Sequence, residues 1–221
     1  MIELGVLLML VVGGFLGLVI TQSFFSQRHW RRIIAEGDLD ALRASVLEAF
    51  ETWRRMRPPP DVPPADWRAL VSAELIAADT ERCRVSLLAE PDIRVVNGVR
   101  EQVGPPSHVA RRSAVRMAER LLYDIPLARF EAVQVDVYAE YRSAEGEVES
   151  ECLLTTQVSR GEAVITDWDD DAAPAILRAW STREATPTRD LDPGVGALIT
   201  AGEAEAATRA NGATPAGDAG P

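Results

Sequence analysis

The pattern of apolar and polar positions begins with one long apolar run. Residues 4 to 20 are all apolar or glycine, and the run continues through three small polar residues to Phe24 and Phe25. In a helix, residues 4–25 rise about 33 Å, which matches the hydrocarbon core of a bilayer. The pattern therefore predicts a membrane-spanning helix over residues 4–25.

The charges on either side of this run predict its orientation. Glu3 precedes the run and a basic cluster follows it, whereas a cleaved secretory signal carries its positive charge first. The positive-inside rule holds the basic side in the cytoplasm. We therefore expect a permanent single-pass anchor in the cell membrane, with the N-terminus outside and the C-terminal domain cytoplasmic. Its interface residues are Phe24, Phe25, Arg28, Trp30, Arg31 and Arg32.

Gly13 and Gly17 lie four residues apart within the apolar run. Small residues at this spacing let two spanning helices approach closely, so the pair allows a homo-oligomer. A glycine-rich anchor without a fixed partner is the equal alternative, because glycine is common in spanning helices.

Residues 1–32 comprise the predicted anchor and its basic juxtamembrane segment. Residues 33–64 are predicted to form an amphipathic helix and a proline-rich connector. Asp38 is a good N-cap, and apolar residues then recur every three or four positions from Leu39 to Met56. This periodicity predicts an amphipathic helix that packs against the core of the domain. The prolines from Pro58 to Pro64 predict a stiff connector after it.

Residues 65–184 mix helical and strand periodicities. Residues 67–78 fit either a helix or a strand, and we favour a helical turn that passes into a strand. Alternation over residues 83–87 predicts a strand, and Asn97-Gly98 predicts a hairpin. A helix is expected up to Tyr123 with Ser107 as its N-cap.

A second hairpin is predicted from Phe130 to Leu154, with its turn at Glu145-Gly146. Ser159 and Glu162 fit a capping box, so residues 159–166 form a short helix or, alternatively, a third strand through Val164. A final helix is expected near Trp180. These elements predict an α+β domain of antiparallel hairpins packed against two or three helices. Residues 185–221 are rich in small residues and are expected to form a disordered tail.

Composition excludes several chemistries. All 23 basic residues are arginines, which excludes P-loop, Schiff-base and Ser-Lys sites because these need an ammonium group. Two single cysteines and two histidines cannot assemble a structural zinc site. The net charge of -11 argues against nucleic-acid partners. We expect no cofactor and no catalytic constellation, and the arginine-rich, alanine-rich composition is typical of a GC-rich bacterial genome.

One carboxylate cluster does suggest chemistry. Alternation in the second hairpin predicts that Asp136, Glu140, Glu149 and Glu151 share one polar face. Such a face could bind Mg²⁺ or Ca²⁺ or dock a basic partner. Solvated charges that keep a strand soluble are the alternative.

A basic stripe is predicted on the helix that ends at Tyr123. Arg112, Arg116 and Arg120 follow each other at intervals of four, so they lie on one helix face. The stripe could contact anionic lipid or a partner, although intramolecular pairing is the simpler use.

Together these features predict a membrane-anchored binding, adaptor or assembly module with a protein partner. The competing hypotheses are a divalent-metal enzyme that uses the hairpin carboxylates and a module that binds anionic lipid surfaces.

Overall fold

The computed structural model describes residues 38–212, apart from residues 97, 127, 144–145, 169–171 and 187. The apolar run over residues 4–25, its interface residues and the Gly13/Gly17 pair lie outside these ranges. Within the described ranges, no helix is both long enough and apolar enough to cross a membrane.

Six helices and seven strands follow each other in the described ranges. The helices are α1 (Leu39–Arg55), α2 (Pro64–Val71), α3 (Pro106–Tyr123), α4 (Arg160–Val164), α5 (Ala173–Ala179) and α6 (Ala201–Gly212). The strands are β1 (Glu74–Ala78), β2 (Arg82–Leu88), β3 (Asp92–Val96), β4 (Val99–Gly104), β5 (Ala132–Arg142), β6 (Val148–Ser159) and β7 (Ser181–Glu184). The expected helical turn passing into a strand over residues 67–78 is therefore confirmed.

Five strands form a mixed sheet in the order β1-β2-β5-β6-β7. Strands β2 and β5 pair in parallel, and the other neighbours pair antiparallel. A parallel pair needs a long crossover, which the separate β3–β4 hairpin and α3 provide. The α+β class is thus confirmed, but the expectation of antiparallel hairpins alone missed this parallel pair.

One face of the sheet and the long helices enclose the hydrophobic core. Val133, Val135 and Val137 of β5 are fully buried in the same cluster as Val46 of α1 and Met117 of α3. Burying one such side chain contributes roughly 1.5–3 kcal/mol. Because α1 shares this cluster with the sheet, the core continues across the boundary that the sequence suggested at residue 64.

The structure confirms two of the three helix N-caps that the sequence predicted. The carboxylate of Asp38 accepts hydrogen bonds from the first turn of α1. Ser159 and Glu162 form the reciprocal capping box of α4, so the alternative of a third strand through Val164 is wrong. The predicted cap at Ser107 is also wrong, because α3 already begins at Pro106. Proline suits this first position since its fixed φ is helical and its missing N–H would have no partner there.

The predicted hairpins form, but the register of the second differs from the expected one. Gly98 takes a φ of 81° in the β3–β4 connection, as a tight turn requires. In the second hairpin, a two-residue loop at Glu145-Gly146 predicts Arg142 opposite Glu149 and Glu140 opposite Glu151. The structure instead places Arg142 opposite Val148 and Glu140 opposite Ser150. The connection is longer than the two residues assumed from Glu145-Gly146, which moves every pair.

The segment after β7 differs most from its expectation. Residues 190–200, named the strap here, cross the polar face of the sheet, and α6 follows with Ala204 buried. The expected disorder was therefore wrong for the described residues between 185 and 212. Composition could not reveal that these residues are ordered, because the strap is held mainly by main-chain hydrogen bonds and buries little apolar surface. Residues 213–221 lie outside the described ranges.

Candidate functional site

The hairpin carboxylates proposed as metal ligands are not brought together. Asp136 is fully buried and forms an ion pair with Arg84 over 2.7 Å. Its other oxygen accepts hydrogen bonds from Gln134 and Thr155 at 2.8 and 2.6 Å. Both carboxylate oxygens of Asp136 thus already have partners within the fold.

The remaining three carboxylates lie on two different faces. Glu140 alternates with Asp136 and shares its face, whereas Glu149 and Glu151 lie opposite Tyr141 and Ala139 on the other face. The hydroxyl of Tyr141 donates to Glu149 at 3.0 Å, and this hydrogen bond raises the pKa of Tyr141. Among the described residues, no three metal-ligating side chains converge on one point.

The arginine stripe on α3 is placed as predicted, but its members have different partners. Arg112 donates two hydrogen bonds to Asp66 of α2, at 2.7 and 2.6 Å. Asp66 is fully buried, and its hydrogen bond raises the pKa of Arg112. This bidentate pair joins α2 to α3 and leaves Arg112 little capacity for an external ligand.

Arg120 is also occupied within the fold. Its guanidinium lies 5.0 Å from the ring centre of Trp53 and 5.3 Å from that of Trp67. Contact with two indole faces stabilises the cation. Burial lowers the pKa of Arg120, although an arginine keeps its charge at neutral pH.

Arg116 differs from the other two members in the part of the chain that the structure describes. It is half-buried, and no hydrogen-bond or ion-pair partner for it occurs in the part of the chain that the structure describes. It lines two adjoining clefts of about 540 and 400 Å³, which both also include Asp61, Glu119 and Trp168. We name these two clefts together the Arg116 groove.

The lining of the Arg116 groove mixes charged side chains with aromatic and aliphatic ones. Trp168 meets Tyr123 edge to face, with ring centres 6.2 Å apart, and its indole N–H donates to the carbonyl of Ala163 at 3.2 Å. Leu70 and Ile176 line opposite ends of the groove. A free guanidinium within aromatic and aliphatic walls can bind a carboxylate and an adjoining apolar group.

The cysteines offer little nucleophilic chemistry. Both Cys83 and Cys152 are free and buried. Cys83 lies on the core face opposite Val133, whereas Cys152 lies opposite Tyr138 on the polar face. Burial raises the pKa of both thiols, that of Cys152 to about 12. At neutral pH both therefore stay in the weakly nucleophilic thiol form.

Sequence reasoning missed two features that the site depends on. It did not predict that Asp61 and Trp168, from segments far apart in sequence, would meet beside Arg116. It also missed the capping box of α6, in which Thr200 and Glu203 exchange hydrogen bonds. The Thr-x-x-Glu spacing was a readable signal for that helix.

The geometry defines an α+β domain with a mixed sheet and an amphipathic groove on its helical side. Comparison of the chain with known protein families, with curated proteins and with solved structures finds no match.

Proposed function

We propose that this protein is a binding module held at a membrane by its N-terminal helix, and that the Arg116 groove docks a segment of a protein partner. The segment presents one carboxylate to Arg116 and an aromatic or aliphatic side chain to Trp168 and Tyr123. The domain acts as an adaptor or assembly module rather than as an enzyme.

The observation that carries this proposal is that Arg116 is half-buried and has no hydrogen-bond or ion-pair partner among the described residues. A cation held partly out of water gains more from a carboxylate than a fully solvated one does. Its neighbours on the stripe are already occupied by Asp66 and by two indoles. The groove therefore offers the partner the guanidinium of Arg116 next to the aromatic rings of Trp168 and Tyr123.

This arrangement supports a protein partner over an anionic surface. A lipid or nucleic-acid surface is bound by several free cations together. Here Asp61 and Glu119 line the same groove as Arg116, and they repel further negative charge. The metal-enzyme hypothesis has less support, since Asp136 is engaged and Glu149 lies on the other face of the sheet.

The membrane part of the proposal rests on the sequence. The apolar run over residues 4–25 is long enough to span a bilayer, and the basic cluster after it favours a cytoplasmic location for the domain. An anchored adaptor keeps its partner close to the membrane, which raises the local concentration of the partner.

Selection of displayed random peptides on the full chain in detergent micelles tests the groove. We expect enriched peptides to carry Asp or Glu close to an aromatic residue. Removing the cation in Arg116→Ala should weaken their binding by roughly ten- to hundredfold, since a hydrogen bond to a charged group contributes about 1.5–3 kcal/mol.

Arg129→Ala is the matched control, because Arg129 is an exposed arginine in the loop before β5. Its affinity for the selected peptides should equal that of the wild type. Peptides without any acidic residue, or equal binding by Arg116→Ala and the wild type, would contradict the proposal.

A further inference from the structure

The β3–β4 hairpin exposes aliphatic side chains outside the main sheet. Its two strands pair with each other in a separate two-stranded sheet. A two-stranded hairpin is at best marginally stable in water without further packing. Four of its described aliphatic side chains are nonetheless about half or more exposed, namely Ile93 at 52 %, Val95 at 69 %, Val99 at 60 % and Val103 at 48 %. Apolar exposure of this kind indicates a contact with a membrane or a partner.

The exposed aliphatic side chains lie on both faces of this hairpin. Ile93 and Val95 alternate along β3 and share one face. Val99, whose main chain pairs with that of Val96, lies on the other face. A flat protein surface covers one face of a two-stranded sheet and leaves the other face in water. An element in the lipid interface is surrounded by lipid on both faces, so the two-sided pattern favours a membrane over a flat protein partner.

The charge of the hairpin suits a membrane surface. Between Ile93 and Val103 it carries two arginines, Arg94 and Arg100, against one glutamate, Glu101. This segment is net positive in a chain whose net charge is -11. The cytoplasmic leaflet, which the domain faces in the proposed arrangement, is negatively charged and attracts basic segments. Arginine side chains also reach headgroups while their aliphatic parts stay in lipid.

Ion pairs hold the base of the hairpin on the helices. Asp92, at the start of β3, is buried and accepts a hydrogen bond from Arg94 at 3.0 Å. Its carboxylate also lies 4.0 Å from the guanidinium of Arg112 in α3. At the other strand, β4 ends at Gly104 and α3 begins at Pro106. The hairpin is therefore held at the N-terminal end of α3.

The chain before α1 is long enough for the anchor and the hairpin to meet the same bilayer. The hydroxyl of Ser45 in α1 donates to the carbonyl of Pro126, just beyond the C-terminal end of α3, at 2.9 Å. The 18 residues of α3 rise about 27 Å between this contact and the hairpin. Residues 26–37 separate the predicted anchor from α1, and twelve residues extend to at most about 40 Å. This segment can therefore run the length of α3.

The backbone of the hairpin limits how deeply it enters a bilayer. The outer edges of a two-stranded sheet present N–H and C=O groups that hydrocarbon leaves without partners. A position at the level of the headgroups keeps these groups hydrated while the aliphatic side chains leave water. The geometry thus favours an interfacial position over a membrane-spanning one.

We propose that the β3–β4 hairpin is a second membrane contact, which lies in the headgroup region of the bilayer that holds the anchor. The lipid interface is its ligand, and the side chains of Ile93, Val95 and Val99 carry the contact. This inference rests on the membrane part of the proposed function, because the anchor over residues 4–25 brings the domain to the bilayer. The described lining of the Arg116 groove comes from other segments, so the contact does not occupy the groove.

Fluorescence quenching of the full chain in lipid nanodiscs tests the proposal. The discs contain phosphatidylcholine and phosphatidylglycerol in equal parts, with or without nitroxide-labelled lipid. A nitrobenzoxadiazole label is attached to Val95→Cys, while the native Cys83 and Cys152 are buried and stay unlabelled. We expect nitroxide close to the headgroup to lower the emission about twofold or more. Equal emission with and without nitroxide would overturn the proposal.

Two further label positions distinguish failure of this inference from failure of the anchor. Ser150→Cys is the matched control, because Ser150 is an exposed strand position in the second hairpin and its label should stay unquenched. Val11→Cys reports on the anchor, and nitroxide deep in the acyl chains should quench its label. Quenching at position 11 but not at position 95 overturns the hairpin contact alone. Absence of quenching at both positions overturns the anchor as well.

Substitutions at Val99 separate apolar contact from other causes of quenching. Val99 is exposed, so its replacement removes no core packing. Val99→Asp should reduce the quenching of the label at position 95 by about half or more, because a carboxylate stays in water. Val99→Thr keeps the branched shape without a charge and should retain most of the quenching. Full quenching in the Val99→Asp chain would contradict apolar insertion.

The number of chains in each disc tests a second copy as the occupant. With one chain in each disc, quenching at position 95 should persist, since lipid covers the hairpin. A change in label emission that requires two chains in one disc identifies a second copy and overturns the proposal.

Discussion

At the scale of single residues, three arginines on one helix face have three different environments. Arg112 forms a bidentate ion pair with a buried carboxylate, Arg120 lies between two indoles, and Arg116 has no partner among the described residues. Sequence spacing predicted that they share a face, and it could not assign these environments. The partners Asp66, Trp53 and Trp67 come from α1 and α2, whose packing against α3 is a tertiary property.

Because Arg112 and Arg116 have different environments, replacing each of them should change the free energy of unfolding by a different amount. Arg112→Ala leaves the carboxylate of Asp66 buried without its cation, so it should lower the free energy of unfolding by about 3 kcal/mol. Arg116→Ala removes no hydrogen bond or ion pair to a described residue and should change it by less than about 0.5 kcal/mol. Urea unfolding followed by tryptophan fluorescence measures both values, with the full chain in detergent micelles. Similar losses for the two variants would show that the Asp66 pair has no special role.

At the scale of elements, the sequence predicted those helix starts that depend on contacts between residues close to each other along the chain. Asp38 and the Ser159/Glu162 box give the starts of α1 and α4, because caps bond to backbone groups within three residues. The register of β5 against β6 was not predictable in the same way. It depends on the length of the connection and on a bulge between Val137 and Tyr138.

The short strand β7 carries a charged contact that makes its attachment depend on pH. Glu184 accepts two hydrogen bonds from Arg111 of α3, at 2.9 and 2.6 Å, and this pairing lowers the pKa of Glu184. A carboxylate with a lowered pKa in the folded state stabilises the fold above its unfolded pKa of about 4.3. That contribution is lost as the pH falls through the lowered value.

Glu184→Gln should therefore reduce the free energy of unfolding at neutral pH by up to about 1 kcal/mol, as is usual for a partly exposed pair. The difference from the wild type should shrink as the pH falls below about 4. Unfolding curves measured from pH 7 downward give this difference, with Glu205→Gln, at an exposed position of α6, as the control. A difference that stays constant with pH would contradict the assigned role of the pair.

At the scale of the whole molecule, the chain combines an apolar N-terminal run with an acidic domain whose sheet carries the helices on one face and the strap on the other. The net charge of -11 limits non-specific contact with polyanions. The Arg116 groove lies on the helical side of the sheet, and the strap crosses the opposite side.

The proposed membrane arrangement predicts a specific topology. Protease added outside intact cells should leave the domain undigested, and the full-length N-terminus should persist in the mature protein. Alkaline extraction should keep the wild-type chain in the membrane, whereas Val11→Arg with Leu16→Arg should release it, because each buried charge costs about 2.5–3.5 kcal/mol. Digestion of the domain from outside, or a mature N-terminus after Phe25, would contradict the arrangement.

The sequence by itself determined the α+β class, the starts of α1 and α4 and the presence of both hairpins, because these depend on periodicity and on contacts within a few residues. It also determined that lysine-dependent chemistry is excluded. Only the tertiary structure decided that β2 and β5 pair in parallel, that Asp136 is paired with Arg84, and that Arg116 has no partner among the residues that the structure describes. It also decided that the strap is ordered. Each of these features depends on groups that are distant along the chain and adjacent in space. A local pattern of residues cannot predict such contacts.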